Sequence, residues 1–182
     1  MAARTAVLVI DMLKDFIEEG AVLEVPKGRE IIPNIKRLTD EARSKGALVI
    51  YVCDSHDPND PEFSKWPPHA VEGTSGAEVV DPIKPQKGDV VVKKLKYDGF
   101  LGTTLDLILR SRKIGAVILT GVLTNICVLY TASTASMLGY DVAIPRDCVA
   151  STSDEEHEWA LHHMKDILGI KIINLREALA SL

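Results

Sequence analysis

Three apolar runs of this chain each end in a side chain suited to covalent catalysis. AVLVID closes on Asp11, DVVVKK closes on Lys94, and AVILTG continues through a short turn to Cys127. A buried carboxylate has a raised pKa unless a cation offsets it, so it can take up and return a proton. A neighbouring ammonium supplies that cation, and a thiol is a natural nucleophile for attack on a carbonyl carbon. Each residue alone has a plainer explanation. Asp11 can cap a turn, Lys94 can be one solvated lysine among Lys93 and Lys96, and Cys127 can be a small buried hydrophobe. Their joint arrival at three strand ends is what points to a nucleophilic site. In a first helical turn, Cys127 would also meet backbone N–H groups and a dipole that favour thiolate and can hold an oxyanion.

A fourth run, ALVIYVC, leads into Asp54-Ser55-His56, and His69 follows thirteen residues after His56. One carboxylate and two imidazoles form a divalent-metal ligand set with positions left open for water or substrate. The plain alternative is a polar loop with a turn-forming Asp and two surface histidines. Trp66 and Phe100 are candidates for an aromatic wall or for core packing. His157, His162 and His163 lie on a helix without the HExxH spacing and read as exposed-face residues. Cys53 and Cys148 read as packing residues at strand ends.

These groups need a scaffold that brings strand ends together. Short Val/Ile-rich runs at about 5–11, 47–53, 89–93, 115–121, 141–145 and 170–174 alternate with helical patterns at about 28–45, 101–113, 125–138, 154–168 and 175–181. Near-continuous apolar strands separated by helices predict a parallel sheet covered on both faces with right-handed crossovers. The expectation is one domain over 1–182, a three-layer α/β/α Rossmann-like fold with a six-stranded parallel sheet in the order 3-2-1-4-5-6. Strands 1 and 4 then meet at the switch point, where such sheets bind ligands. Gly46, Gly115, Gly139 and Gly169 read as helix stops. Ser153 with Glu156 has capping-box spacing, and the helix 125–138 is apolar or small nearly all round, predicting burial. Residues 54–88 carry six prolines and little periodicity. A connection this long that holds Asp54, His56, Trp66 and His69 predicts a functional loop.

Composition narrows the partners. Twenty-six acidic and 21 basic residues give a net charge of −5 without long blocks, so no basic stripe invites nucleic acid. No apolar run approaches the roughly 18 residues that span a bilayer, and the opening segment runs straight into Asp11 as a first strand, not a signal peptide. Three separated cysteines fit reduced thiols in a cytoplasm, and no CxxC pair supports thiol-redox chemistry.

The stretches VLVIDMLKDFI (7–17), IYVCDSH (50–56), WPPHAVEGTSGAEV (66–79), KLKYDGFLGTTLDLILR (94–110) and TGVLTNICVLYTASTASMLGYDV (120–142) resemble the isochorismatase-like cysteine hydrolases. This is the superfamily of nicotinamidase, N-carbamoylsarcosine amidase and isochorismatase. The resemblance implies Asp11 as proton acceptor and donor, Lys94 as its charge partner and Cys127 as nucleophile. Lys94 is chosen because it stands three residues before Tyr97, as the family's lysine does. It further implies a cis peptide between Val122 and Leu123, an oxyanion hole from the Leu123 and Cys127 N–H groups, and a substrate pocket with Phe16, Trp66, Tyr97 and Phe100. Asp54, His56 and His69 match the zinc ligands of nicotinamidase-type members. Ser55 departs from the Trp that nicotinamidases commonly carry between the first two ligands. The implied activity is hydrolysis of a small carboxamide through a thioester, nicotinamide first, in a homo-oligomer (dimer or tetramer). The rivals are an N-carbamoyl amidase and a non-catalytic metal- or ligand-binding protein on the same scaffold.

Overall fold

The computed structural model describes residues 4–182. The central strand Arg4–Ile10 (β1) is flanked by Leu48–Asp54 (β2) and Ile114–Val122 (β4); Val90–Lys94 (β3) forms one edge, and Asp141–Pro145 (β5) and Lys171–Ile173 (β7) the other side. All these pairs are parallel, and the order is β3-β2-β1-β4-β5-β7, the topology expected. The expected count of six strands gains one. Val149–Ala150 (β6), two residues long, pairs with the end of β4 at Gly121 and Val122.

The alternation of β1 explains why the sheet needs cover on both faces. Ala6, Leu8 and Ile10 face a core built with Leu105–Ser111 (α3), Leu129–Met137 (α4) and Asp154–Asp166 (α5). Val7 and Val9 face the opposite core with Lys14–Ile17 (α1), Ile32–Ser44 (α2) and Leu175–Ala180 (α6). Burying both faces excludes water from the strands up to their carboxyl ends, so polar groups placed there sit in a low dielectric.

Several local expectations are corrected. Gly115 lies inside β4, and Lys113, at φ 56°, takes the left-handed position after α3 instead. α4 buries Thr131, Ala132 and Ala135 but exposes Tyr130 and Met137, so it covers the sheet with one side only. Ser153 accepts a hydrogen bond from the Glu156 amide, yet the Glu156 carboxylate turns away to accept from Asn125 Nδ2, leaving the capping box half-made. The 54–88 segment has three short 3₁₀ turns and is anchored to the chain after β1. Leu13 bridges Val79, the Lys14 amide donates to Glu78 and the Val80 amide to Met12.

Candidate active site

Strand register delivers the first three charged groups. Asp54 and Lys94 are direct neighbours at the ends of β2 and β3. Asp11 follows the last residue of β1, its amide donating to the Val52 carbonyl at 3.0 Å. At Asp11 the backbone turns left-handed, φ 50°, which redirects the carboxylate over the sheet's end. On the far side, Gly121 of β4 pairs with Ile10, and a Cβ there would lie 1.9 Å from the Ile10 carbonyl oxygen. Only glycine permits that approach, and it brings the Cys127 turn beside Asp11. The Val122–Leu123 peptide is cis.

Cys127 sits in a wide turn, Thr124–Val128, where the Val128 amide donates to the Leu123 carbonyl five residues back, just before α4. The turn is fixed by α5 and the segment just before it: Thr124 Oγ1 lies 2.9 Å from His157 Nδ1, and Asn125 is held by Ser151 Oγ at 2.7 Å and by Glu156. His157 is therefore half-buried behind the cysteine turn, not an exposed-face residue, and burial pulls its pKa down.

Four buried groups converge. Lys94 Nζ donates to Asp54 Oδ1 at 2.5 Å and to Cys127 Sγ at 3.5 Å. It also lies 2.8 Å from Asp11 Oδ2, off the hydrogen-bonding axis, so that oxygen keeps a lone pair without a hydrogen-bonded donor. Asp11 Oδ1 accepts from the Asp54 amide at 2.8 Å. Burial and the neighbouring Asp54 charge push the Asp11 pKa up to about 6, against the pull of Lys94. Burial opposes the Lys94 charge, but Asp11, Cys127 and Asp54 together hold its pKa well above the ordinary lysine value. Burial also works against the Asp54 carboxylate, yet Lys94 and His56 keep its pKa below the usual range. Cys127 departs from expectation. Burial, with the two carboxylates, raises its pKa well above the ordinary thiol value despite Lys94. The helix-end contribution does not win, so the resting group is a thiol.

A metal-ligand set adjoins this cluster. Asp54, His56 and His69 are all buried, with one ligand atom from each lying within 4.8 Å of the others. His56 Nε2 is buried without a hydrogen-bond partner and points 3.8 Å from Asp54 Oδ2. Such an orphaned imidazole nitrogen is costly unless something else satisfies it. Both rings are oriented through their other nitrogen: His56 Nδ1 meets Asp60 Oδ2 at 3.1 Å, and His69 Nδ1 donates to the Pro67 carbonyl at 2.7 Å. That leaves the lone pairs of the two Nε2 atoms free to ligate, the arrangement typical of metal-binding histidines. The residues fit a divalent ion.

The site opens into a cleft of ≈ 550 Å³ lined by Phe16, Trp66, Tyr97, Leu123 and Cys127 among others. Trp66 Nε1 donates to Tyr97 Oη at 2.9 Å, and Lys65 Nζ bonds the same oxygen at 3.1 Å, fixing an aromatic wall. Phe100 is not part of it. Its ring stacks on Tyr140 at 6.0 Å and packs on the core. Sequence reasoning missed Asp60, although its place four residues after His56 was a usable signal. It also missed that Asp54 serves Lys94 as well as the histidines, which no spacing reveals.

Comparison with known proteins gives the same picture over the whole chain. Residues 5–174 match the isochorismatase domain model. The nicotinamidase/pyrazinamidase PncA from Bacillus subtilis superposes with a TM-score of 0.90 at 36% identity, covering 94% of this chain and 100% of that one. The pyrazinamidase of Pyrococcus horikoshii, solved in complex with zinc, superposes with a TM-score of 0.88 at 36% identity, covering 94% and 99%. A probable inactive nicotinamidase from Arabidopsis thaliana is 35% identical over 184 residues, covering 95% of this chain and 93% of its own. Parallel sheet, strand order and a domain match spanning nearly the full length agree, and the chain belongs to the isochorismatase family of hydrolases.

Proposed function

We propose that this protein is a cysteine-dependent amidohydrolase that cleaves a small carboxamide to a carboxylic acid and ammonia, with nicotinamide as the leading substrate. The observation that carries this reading is the placement of the Cys127 thiol beside Lys94 and a high-pKa Asp11 on the floor of the cleft. Asp11 takes the thiol proton as the sulfur attacks the amide carbon. The Leu123 and Cys127 N–H groups face the developing oxyanion. Asp11 returns the proton to the departing ammonia, then activates the water that hydrolyses the thioester. Lys94 keeps a positive charge beside both steps. One domain over 1–182, assembled as a dimer or tetramer in a reducing cytoplasm, completes the proposal; the three free, buried cysteines and exposed Leu107 and Met137 support it.

Asp54, His56 and His69 would hold zinc, which when bound supplies a Lewis acid that orients a ring nitrogen or a water. Metal analysis of purified protein is expected to give about one zinc per chain, falling by roughly tenfold or more in affinity for His56→Ala. Dialysis against a chelator is expected to lower the melting temperature, with recovery on zinc addition. Unchanged melting and no bound metal would remove zinc from the reading.

The pH profile follows from Asp11. The free enzyme needs this carboxylate ionised to accept the thiol proton, so kcat/KM is expected to fall about tenfold per pH unit below about 6 and to level above it. A profile flat down to pH 4.5, measured by ammonia release, contradicts Asp11 as the base. The Arabidopsis relative named a probable inactive nicotinamidase favours a second reading, a binding protein on the same scaffold. It predicts bound zinc but no thioester adduct by mass spectrometry. Ammonia release from nicotinamide against N-carbamoylsarcosine separates the two amidase branches.

A further inference from the structure

His69 follows His56 by thirteen residues, in a segment with little regular structure, so contacts across the fold must bring the two imidazoles together. The His69 ring does not supply them, because its Nδ1 bonds Pro67, two residues away in the same loop. The next residue does. Ala70 is fully buried, and both of its backbone polar groups are used across the fold. Its carbonyl accepts from the His56 amide at 3.0 Å, and its amide donates to Asp15 Oδ2 at 2.8 Å. Ala70 also has φ 44°, a left-handed conformation that a residue with a side chain keeps only where its surroundings fix it. Asp15 is held from a second direction. A Cβ at Gly76 would lie 2.1 Å from Asp15 Oδ2 and 2.3 Å from Oδ1, so the loop closes on this carboxylate where only glycine fits. Asp15 stands on α1 beside Phe16, whose ring lies 5.6 Å from that of His69.

We propose that Asp15 is a positioning residue for the metal-ligand set: its carboxylate, clasped by the loop at Ala70 and Gly76, fixes His69 against His56 and the end of β1. This rests on the zinc reading and deepens it. Asp15 acts through the Ala70 backbone, as an acceptor from a buried amide. Such charge-assisted bonds are strong and directional, and partners outside the ligand set govern how well the ligands are aimed. Without the carboxylate, the Ala70 amide would be buried without a partner, and the left-handed turn would lose a contact that holds it. His69 would then be free to swing away from Asp54 and His56.

The test measures zinc affinity of the full chain by competition with a chromophoric chelator, together with thermal melting of the metal-free protein. Asp15→Ala is expected to weaken zinc binding by about tenfold or more. Asp15→Asn removes the same negative charge but keeps an oxygen that accepts from Ala70, and it is expected to stay within about twofold of wild type. This pair separates positioning from the simple attraction of an anion for a cation. Gly76→Ala leaves residue 15 in place but pushes a methyl group against its carboxylate, and it is expected to weaken zinc binding as Asp15→Ala does. A purely structural Asp15 would lower the metal-free melting temperature and leave zinc affinity unchanged in Asp15→Ala, which overturns the proposal. An Asp15→Asn variant as weak as Asp15→Ala overturns it too. If Asp15→Ala does not fold, Gly76→Ala decides: weakened zinc binding supports the proposal, and wild-type affinity overturns it. A wild type that binds no zinc removes the zinc reading and this proposal together, whereas zinc held equally by wild type and Asp15→Ala removes this proposal alone.

Discussion

Replacing Cys127 by alanine is expected to lower amide turnover by about four to six orders of magnitude while leaving the fold intact. The magnitude follows from removing a nucleophile that acts as a unit with its base, where single losses cost nearly as much as losing the whole set. The side chain is small and 8% exposed, and Lys94 is its hydrogen-bond partner, so truncation leaves packing nearly unchanged. Lys94 keeps both carboxylates. The measurements are ammonia release over a small-amide panel and mass spectrometry of protein quenched during turnover. Wild type should carry a covalent acyl adduct, and the alanine variant none. Turnover unchanged in the variant would sink the cysteine mechanism outright.

Lys94→Met is expected to abolish activity and, unlike the cysteine change, to damage the fold. Lys94 is 1% exposed and stands between the carboxylates of Asp11 and Asp54. Removing one partner from a buried ionic cluster costs about 3–5 kcal/mol, because uncompensated charge is left behind. The pH dependence has a definite sign. Asp11 already has a folded pKa raised from 3.8 to about 6, and losing Lys94 raises it further. A raised folded pKa gives stability that is full below the unfolded value and lost as pH rises through the folded one. The stability that Asp54 gains above its unfolded pKa from its pairing with Lys94 is lost in the same variant. The variant should therefore be most unstable at neutral pH and recover part of the deficit as pH falls from 7 toward 4.5. Thermal melts of both proteins across that range check it. A deficit constant with pH would mean that the methionine disturbs packing alone.

The scaffold was legible in the sequence because both of its signals are local. Continuous Val/Ile runs and intervening helical periods located the strands, and parallel α/β topology left little freedom in their order. Where expectations failed, a tertiary contact outweighed a local preference. Glu156 has the spacing of a capping box, but Asn125 captures its carboxylate across the fold. Gly115 follows a helix, but the demand of β4 for pairing begins at Ile114, which forces the left-handed turn onto Lys113. The thiol of Cys127 has helix-end geometry, but burial next to two acids dominates its proton affinity. Phe100 looks like a pocket aromatic until Tyr140 is brought beneath it from residues far along the chain.

In the sequence Asp54 reads as a metal ligand alone, and its geometry changes how experiments at that position should be interpreted. One oxygen holds the Lys94 ammonium while the other is turned to His56. A dead Asp54→Asn or Asp54→Ala enzyme would thus be an ambiguous phenotype, since two defects are introduced by a single codon change. Testing for a role of a bound metal requires the histidines, whose substitution spares the amine, and assigning the role of the amine requires position 94.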